Sequence, residues 1–339
     1  MTIPRSNLID LHATPYYHCM ARCVRRSYLC GHDEDTGRDY SHRKLWIVNR
    51  LKHLASVFAL HVCAYAVMSN HYHLVLFVNE PEANAWDDDD VIKRWEKVFP
   101  TDAKSFKYLP AKEAEYKIAL WRHRLMDISW FMRCLNESIA RVSNKEEDKK
   151  GRFWEGRFKS QALLDEGAVL SAMVYVDLNP IRAKIAETPE TSNFTSIQDR
   201  LNLLAKKLKT KVSQKLTETM CDNVKQPAHL MPFSTKKQAS KKIDLPMIDF
   251  KLTDYLLLVH STGRVIRDNK PGAIPDDLAP ILDRLCLNPR TWLNMVKNLQ
   301  SYFSYAIGHT AVLLEFGRHY HCQTPKGLNT AKKLYIIAA

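Results

Sequence analysis

A chain of 339 residues with 50 Lys and Arg against 37 Asp and Glu carries a formal charge of +13, and its pI is near 9.3. That length supports a sizeable core, as two domains or one elaborated domain, and no apolar run is long enough to predict a bilayer-spanning helix. The opening residues MTIPRSNLIDLHATPYYHC lack the charged-then-apolar layout of a secretory signal, and the eight cysteines are scattered with no C-x-x-C, so reduced thiols in the cytoplasm are expected.

The basic excess favours a polyanionic partner, most often nucleic acid. Between Lys206 and Lys242, however, ten lysines stand against Glu218 and Asp222, so +8 of the +13 belongs to that segment. Charge alone therefore does not locate a binding groove.

In chain order, YYHCMARCVR (Tyr16 to Arg25) reads as a strand ending in the basic cluster Arg22, Arg25 and Arg26. From Arg43 to Leu60 the apolar residues Leu45, Val48, Leu51, Leu54, Ala55 and Phe58 recur at helical steps. VCAYAVMSNHYHLVLFV (Val62 to Val78) reads as two strands joined at Ser69-Asn70. A charged segment with Pro100 and Pro110, about 80–122, reads as a surface insertion; its DDDD run is expected to be solvated. Ile128, Phe131, Leu135, Ile139 and Val142 mark a second amphipathic helix. GRFWEGRFKSQALL (Gly151 to Leu164) is extended, and a short helix from Gly167 is stopped by Pro180. The order βαββαβ plus a helix predicts an α+β fold, a ferredoxin-like antiparallel sheet with helices on one face and the other face free for a ligand. The expected division is 1–190 for this unit, 191–242 for a helix and basic linker, and 243–339 for a mainly helical C-terminal extension.

The chemistry begins at His71-Tyr72-His73. Strand alternation puts both imidazoles on one face, as a metal-binding pair or as structural side chains. The H-x-E and P-C-x-x-C of zinc deaminases are missing, as is H-E-x-x-H. Tyr175 and Asn179 share a helix face four residues apart. A tyrosine attacks a phosphate usefully when a divalent cation stabilises the developing charge, and an amide oxygen one turn on can join the coordination. The same spacing fits a core aromatic followed by a C-cap. In GRFWEGRFKS, Arg152, Arg157 and Lys159 alternate with Phe153, Trp154 and Phe158, a pattern that suits single strands, with bases stacked on aromatics and cations along the backbone. Alternatively the aromatics pack the core and only the cations face outward. Asn70 is either a brace for an imidazole or a turn residue. The second His-Tyr-His, His319 to His321, reads as a surface or DNA-proximal segment.

Taken together, His71-Tyr72-His73 in its apolar strand, GRFWEGRF and YVDLNPIRA resemble the HUH single-tyrosine transposases, most of all the REP-associated tyrosine transposases. The resemblance covers about Tyr16 to Ile185 without the insertion. It implies a ferredoxin-like core and cleavage of single-stranded, hairpin-bearing DNA. Tyr175 would be the nucleophile, forming a 5′-phosphotyrosine and leaving a free 3′-OH. A divalent metal, Mg²⁺ or Mn²⁺, would be held by His71, His73 and Asn179. DNA contacts are expected at Arg22, Arg25, Arg152, Trp154, Arg157 and Lys159, with Asn70 behind an imidazole. A monomer or homodimer in the cytoplasm, associated with the nucleoid, is implied. Two features differ: TPYYHCMAR stands where the family has a Gly-Thr-aromatic signature, and the last 150 residues or so have no counterpart in compact members. Two other readings remain open, a domesticated DNA-binding protein with little or no turnover and an unrelated metal hydrolase built on the H-x-H.

Overall fold

A computed structural model describes residues 8–24, 29–33, 37–209, 225–234, 246–267, 279–285, 287–319 and 325–335. Arg25, most of the lysine-rich segment, Tyr320 and His321 lie outside the described residues.

Strand β1 (Tyr16–Arg22) is followed by the short pair β2 (His32–Asp33) and β3 (Arg38–Asp39), then by helix α1 (Arg43–Ala55). The strands β4 (Leu60–Val67) and β5 (His71–Val78) come next, and four helices occupy the predicted insertion: α2 (Glu80–Ala85), α3 (Asp88–Val98), α4 (Pro100–Phe106) and α5 (Ala111–Leu125). Helix α6 (Ile128–Glu146), strand β6 (Lys159–Leu163), helix α7 (Glu166–Asp177) and the single turn α8 (Asn179–Arg182) carry the chain to α9 (Ser196–Lys209). The remainder holds β7 (Phe233–Ser234), β8 (Ile248–Lys251), α10 (Leu252–Arg267), α11 (Ala279–Arg284), α12 (Pro289–Tyr302), β9 (Ala306–Ile307), α13 (Thr310–His319) and α14 (Leu328–Leu334).

The protein is α+β. Its main sheet has the order β4-β5-β1-β6-β9, antiparallel throughout except where β9 lies parallel to β6. Period-two alternation sends Tyr17, Cys19 and Tyr72 to the face covered by α1 and α6, where the Tyr72 hydroxyl donates to Asn136 Oδ1 of α6 at 2.5 Å. His18, Met20, His71 and His73 belong to the opposite face. Burial of Ile47, Val48, Leu51 and Leu54 on α1, and of Ile128, Phe131, Leu135 and Ile139 on α6, follows the helical period. Leu45 and Val142, at the margins of those stripes, stay exposed.

One expectation is corrected here: the second sheet face is not free. Helix α7 lies on it against β4, β5 and β6, and every residue from Gly167 to Asp177 is buried. The segment AVLSAMVYV is apolar all round, so one covered face does not satisfy it. The sheet covers one side of α7, and α10 and α12 pack against it as well.

The DDDD run begins α3. The Asp87 carboxylate accepts the Asp90 N–H at 2.7 Å, and Asp88 to Asp90 fill the first turn, where negative charge complements the helix dipole. The C-terminal segment joins the sheet through β9 and ties back to the start of α7. Asp165 caps α7 through the Ala168 N–H at 2.8 Å, accepts the Tyr335 hydroxyl at 2.7 Å and accepts the His309 N–H at 2.5 Å. Gly308 is required by this approach, since a Cβ there would sit 2.9 Å from Leu164 Cβ.

Candidate active site

The site forms where β1, β5, β6 and the end of α7 meet. His73 is buried on β5, and its Nδ1 lies 2.9 Å from His18 Nε2 on β1. His18 Nδ1 lies 2.8 Å from Gln161 Oε1 on β6, while Gln161 Nε2 donates to the Phe303 carbonyl at 3.4 Å. That carbonyl can only accept, so it fixes the amide with its oxygen toward His18. His18 therefore carries its proton on Nδ1, and its bare Nε2 accepts from His73 Nδ1–H. The consequence is a His73 ring whose Nε2 holds a lone pair, and this buried atom has no hydrogen-bond partner.

His71 is set the same way by a shorter route. Its Nδ1 lies 2.6 Å from Asn70 Oδ1, and with the amide oxygen facing the ring Nδ1 carries the proton and Nε2 the lone pair. The His71 and His73 rings are 4.9 Å apart between centroids and nearly perpendicular. The Tyr175 ring lies edge-on to His73 at 5.6 Å and to His18 at 5.9 Å. Asn179, 5 % exposed, has an unbonded side-chain nitrogen in the same buried region. Rotation about χ2 exchanges the two ends of an amide, so Asn179 can offer oxygen there.

These residues suit a divalent cation: two neutral imidazoles with Nε2 lone pairs fixed by hydrogen bonds at Nδ1, plus an amide. Among the described residues there is no cluster of three or more His, Cys, Asp or Glu side chains able to hold a metal ion, so a metal here would need the Asn179 amide, a water or the phosphate itself.

Electrostatics keeps the rings neutral. Burial pushes His18 down to about 4, and burial with the nearby Arg22 and Arg182 pushes His71 to about 4. His73 lies well below the ordinary range through burial, helped by the other two rings and Arg182. Burial raises the Tyr175 phenol, while Arg182 and Asn179 pull against that rise. The Arg182 guanidinium sits 4.5 Å from the Tyr175 ring centroid and is held by the Lys297 carbonyl of α12 at 2.7 Å.

This arrangement has a consequence for stability. Folded-state pKa values below the unfolded 6.5 mean the three rings contribute fully above pH 6.5, and His18 and His71 lose that contribution as pH falls toward 4. Asp177, raised by burial to about 6, works oppositely: its contribution is full near pH 4 and is lost as pH rises to 6. The rings outweigh one carboxyl, so the metal-free protein is expected to weaken from pH 6.5 to 5, by roughly 2 kcal/mol for each of His18 and His71 before the opposing carboxyl. Urea titrations at the two pH values measure this, and His18→Gln is expected to reduce the difference by one ring's share. An unchanged urea midpoint would rule the account out.

Of the residues anticipated from sequence, the fold brings His71, His73, Tyr175 and Asn179 together, with Asn70 behind His71. Arg22 pairs with His71 across the β1–β5 ladder and approaches Glu155 at 3.7 Å. Arg152, Arg157 and Lys159 are exposed. Trp154 is corrected: it is 8 % exposed, its indole N–H donates to the Asn136 carbonyl at 2.9 Å, and its ring meets Tyr72 edge-on. A ring so engaged anchors the loop before β6 to α6 and is unavailable to stack on bases. Sequence reasoning missed His18, Gln161 and Arg182. The available signal was a histidine in the middle of an apolar strand, in phase with the strand's inward alternation.

No family model and no curated protein matches the chain. A solved structure described as "Structure of the REP associates tyrosine transposase bound to a REP hairpin" is similar over 56 % of this chain and 79 % of that one, at 11 % identity and a TM-score of 0.34. A likeness at that level carries no argument, and the functional reading rests on the site's own residues. Among the described residues no helix is long and apolar enough to cross a membrane.

Proposed function

We propose that this protein is a transposase-like, metal-dependent transesterase of single-stranded, hairpin-bearing DNA, with Tyr175 as nucleophile. The observation that carries the reading is the buried meeting of the Tyr175 ring with His73, whose Nε2 is held as an unpartnered lone pair beside His71. The strand order β4-β5-β1-β6, with β9 as an addition at the edge, supports a ferredoxin-like core beneath the site.

The Mg²⁺ or Mn²⁺ ion held by His71, His73 and Asn179 would supply charge neutralisation at the phosphate. Tyr175 Oη attacks phosphorus: the Oη–P bond forms, the P–O3′ bond breaks, and the phenolic proton is balanced by the new 3′-OH. Arg182, over the Tyr175 ring, favours the phenolate against the burial that disfavours it. Exposed Arg22, Arg152, Arg157 and Lys159 follow the DNA backbone. Rejoining runs the same step backward and uses no nucleotide cofactor, because the phosphotyrosine link retains the phosphodiester energy.

One observation favours a second reading, a DNA-binding protein with little turnover: Tyr175 is only 4 % exposed. Incubation with labelled hairpin DNA and Mg²⁺ or Mn²⁺ separates the two. A denaturant-resistant protein–DNA adduct supports the transesterase, and DNA retention without any adduct supports the binding protein.

A further inference from the structure

A cleft of about 530 Å³ opens beside the site, between β6 and the C-terminal segment. Its floor includes His18 and Gln161, the two side chains that hold His73 in place, so the cleft is continuous with the back of the site. Its rim carries Lys159 on β6 and Lys326 before α14, both exposed, together with Tyr305, which is 46 % exposed. Among the described residues, the lining contains no aspartate or glutamate. The two walls are joined where the Gln300 amide of α12 contacts Met20 Sδ of β1 at 3.1 Å. Another basic hollow, at Lys206, Lys207 and Lys225, contains Asp199 in contact with His229 and shares no residue with the Tyr175 site.

We infer that this cleft is a subsite for the single-stranded flank of the cleaved DNA, with one wall built by the C-terminal segment. The inference rests on the reading of the Tyr175 site above and adds to it which part of the substrate lies where. Cations without nearby carboxylates select a polyanion, and an exposed aromatic between them accepts a base by stacking, as sequence-tolerant single-strand sites do. A duplex offers no unpaired base to such a ring, whereas a single strand leaving the site meets Lys159, Tyr305 and Lys326 in one continuous hollow. The C-terminal segment is thus part of the substrate surface.

The test uses the full chain carrying Tyr175→Phe, so that binding is read without covalent capture. Fluorescence anisotropy compares a labelled hairpin bearing a single-stranded tail with the same hairpin cut blunt. Lys326→Glu is expected to weaken binding of the tailed DNA about tenfold and to lower its salt slope by about one. Tyr305→Ala is expected to weaken it about tenfold with the slope unchanged. Both changes should leave the blunt hairpin and the thermal melt as they were, because both side chains are exposed. Tailed DNA bound by the variants as tightly as by the parent overturns the subsite, and so does a parent that does not distinguish tailed from blunt. If the variants behave as expected while the wild-type chain forms no adduct, the subsite stands and the transesterase reading falls. If the adduct forms and the variants bind like the parent, the reverse holds.

Discussion

Tyr175→Phe is expected to abolish the denaturant-resistant DNA adduct, lowering its rate of formation by about 10³-fold or more. The change removes one oxygen and keeps the ring that packs edge-on against His73 and lies under Arg182. Loss of the hydroxyl is expected to cost about 1 kcal/mol, so the melting temperature should move by only a few degrees. Binding to single-stranded DNA should persist, since the exposed cations are untouched. His71→Ala is expected to lose the adduct as well while retaining DNA, because it removes an imidazole whose Nε2 lone pair is fixed by Asn70. An adduct that survives Tyr175→Phe would reassign the nucleophile.

The largest stability effect is expected at Asp177, two residues beyond the tyrosine. Its side chain is fully buried; one carboxylate oxygen accepts from the Ser196 hydroxyl and from the Ile197 N–H at 3.0 Å, the other from the Tyr255 hydroxyl at 2.5 Å. These bonds pin the starts of α9 and α10 to the end of α7. The buried Arg200 nearby, bonded to the carbonyls of Cys63 and Met231 at 3.0 Å, balances the carboxylate's charge. Asp177→Ala leaves the Ile197 N–H and the Tyr255 hydroxyl without an acceptor, leaves the Ser196 hydroxyl only the Tyr65 carbonyl at 3.4 Å, and removes a charge that offsets Arg200, so a loss of about 4 kcal/mol is expected in urea unfolding. Asp177→Asn keeps one acceptor oxygen, and the Tyr255 hydroxyl can turn to accept from the amide, so its loss should be about half as large. Equal losses in the two variants would place the effect in the charge balance with Arg200 and not in the hydrogen bonds.

Much of the candidate site was legible before any coordinates. Strand alternation alone put His71 and His73 on one face, helical spacing alone put Tyr175 and Asn179 on another, and the resemblance joined the two pairs. Local periodicity also placed α1, α6 and the paired strands β4 and β5, because burial of one face of a strand or helix leaves its mark within a few residues. Trp154 shows where that information stops. An aromatic between cations fits a stacking platform and a core anchor equally well, and only the carbonyl of Asn136 on α6, 18 residues earlier, decides between them.

The sequence by itself determined the α+β class and singled out the His, Tyr and Asn side chains of the candidate site. Tertiary structure alone decided how they are held. Gln161 and His18 reach His73 across two strand pairings, and Arg182 reaches Tyr175 while clamped by α12. β9 completes the sheet edge from far along the chain. The physical reason is range. Periodicity records what a residue buries within its own element, whereas a tautomer, a shifted pKa or a cleft wall depends on partners up to a hundred or more residues away, which no local pattern encodes.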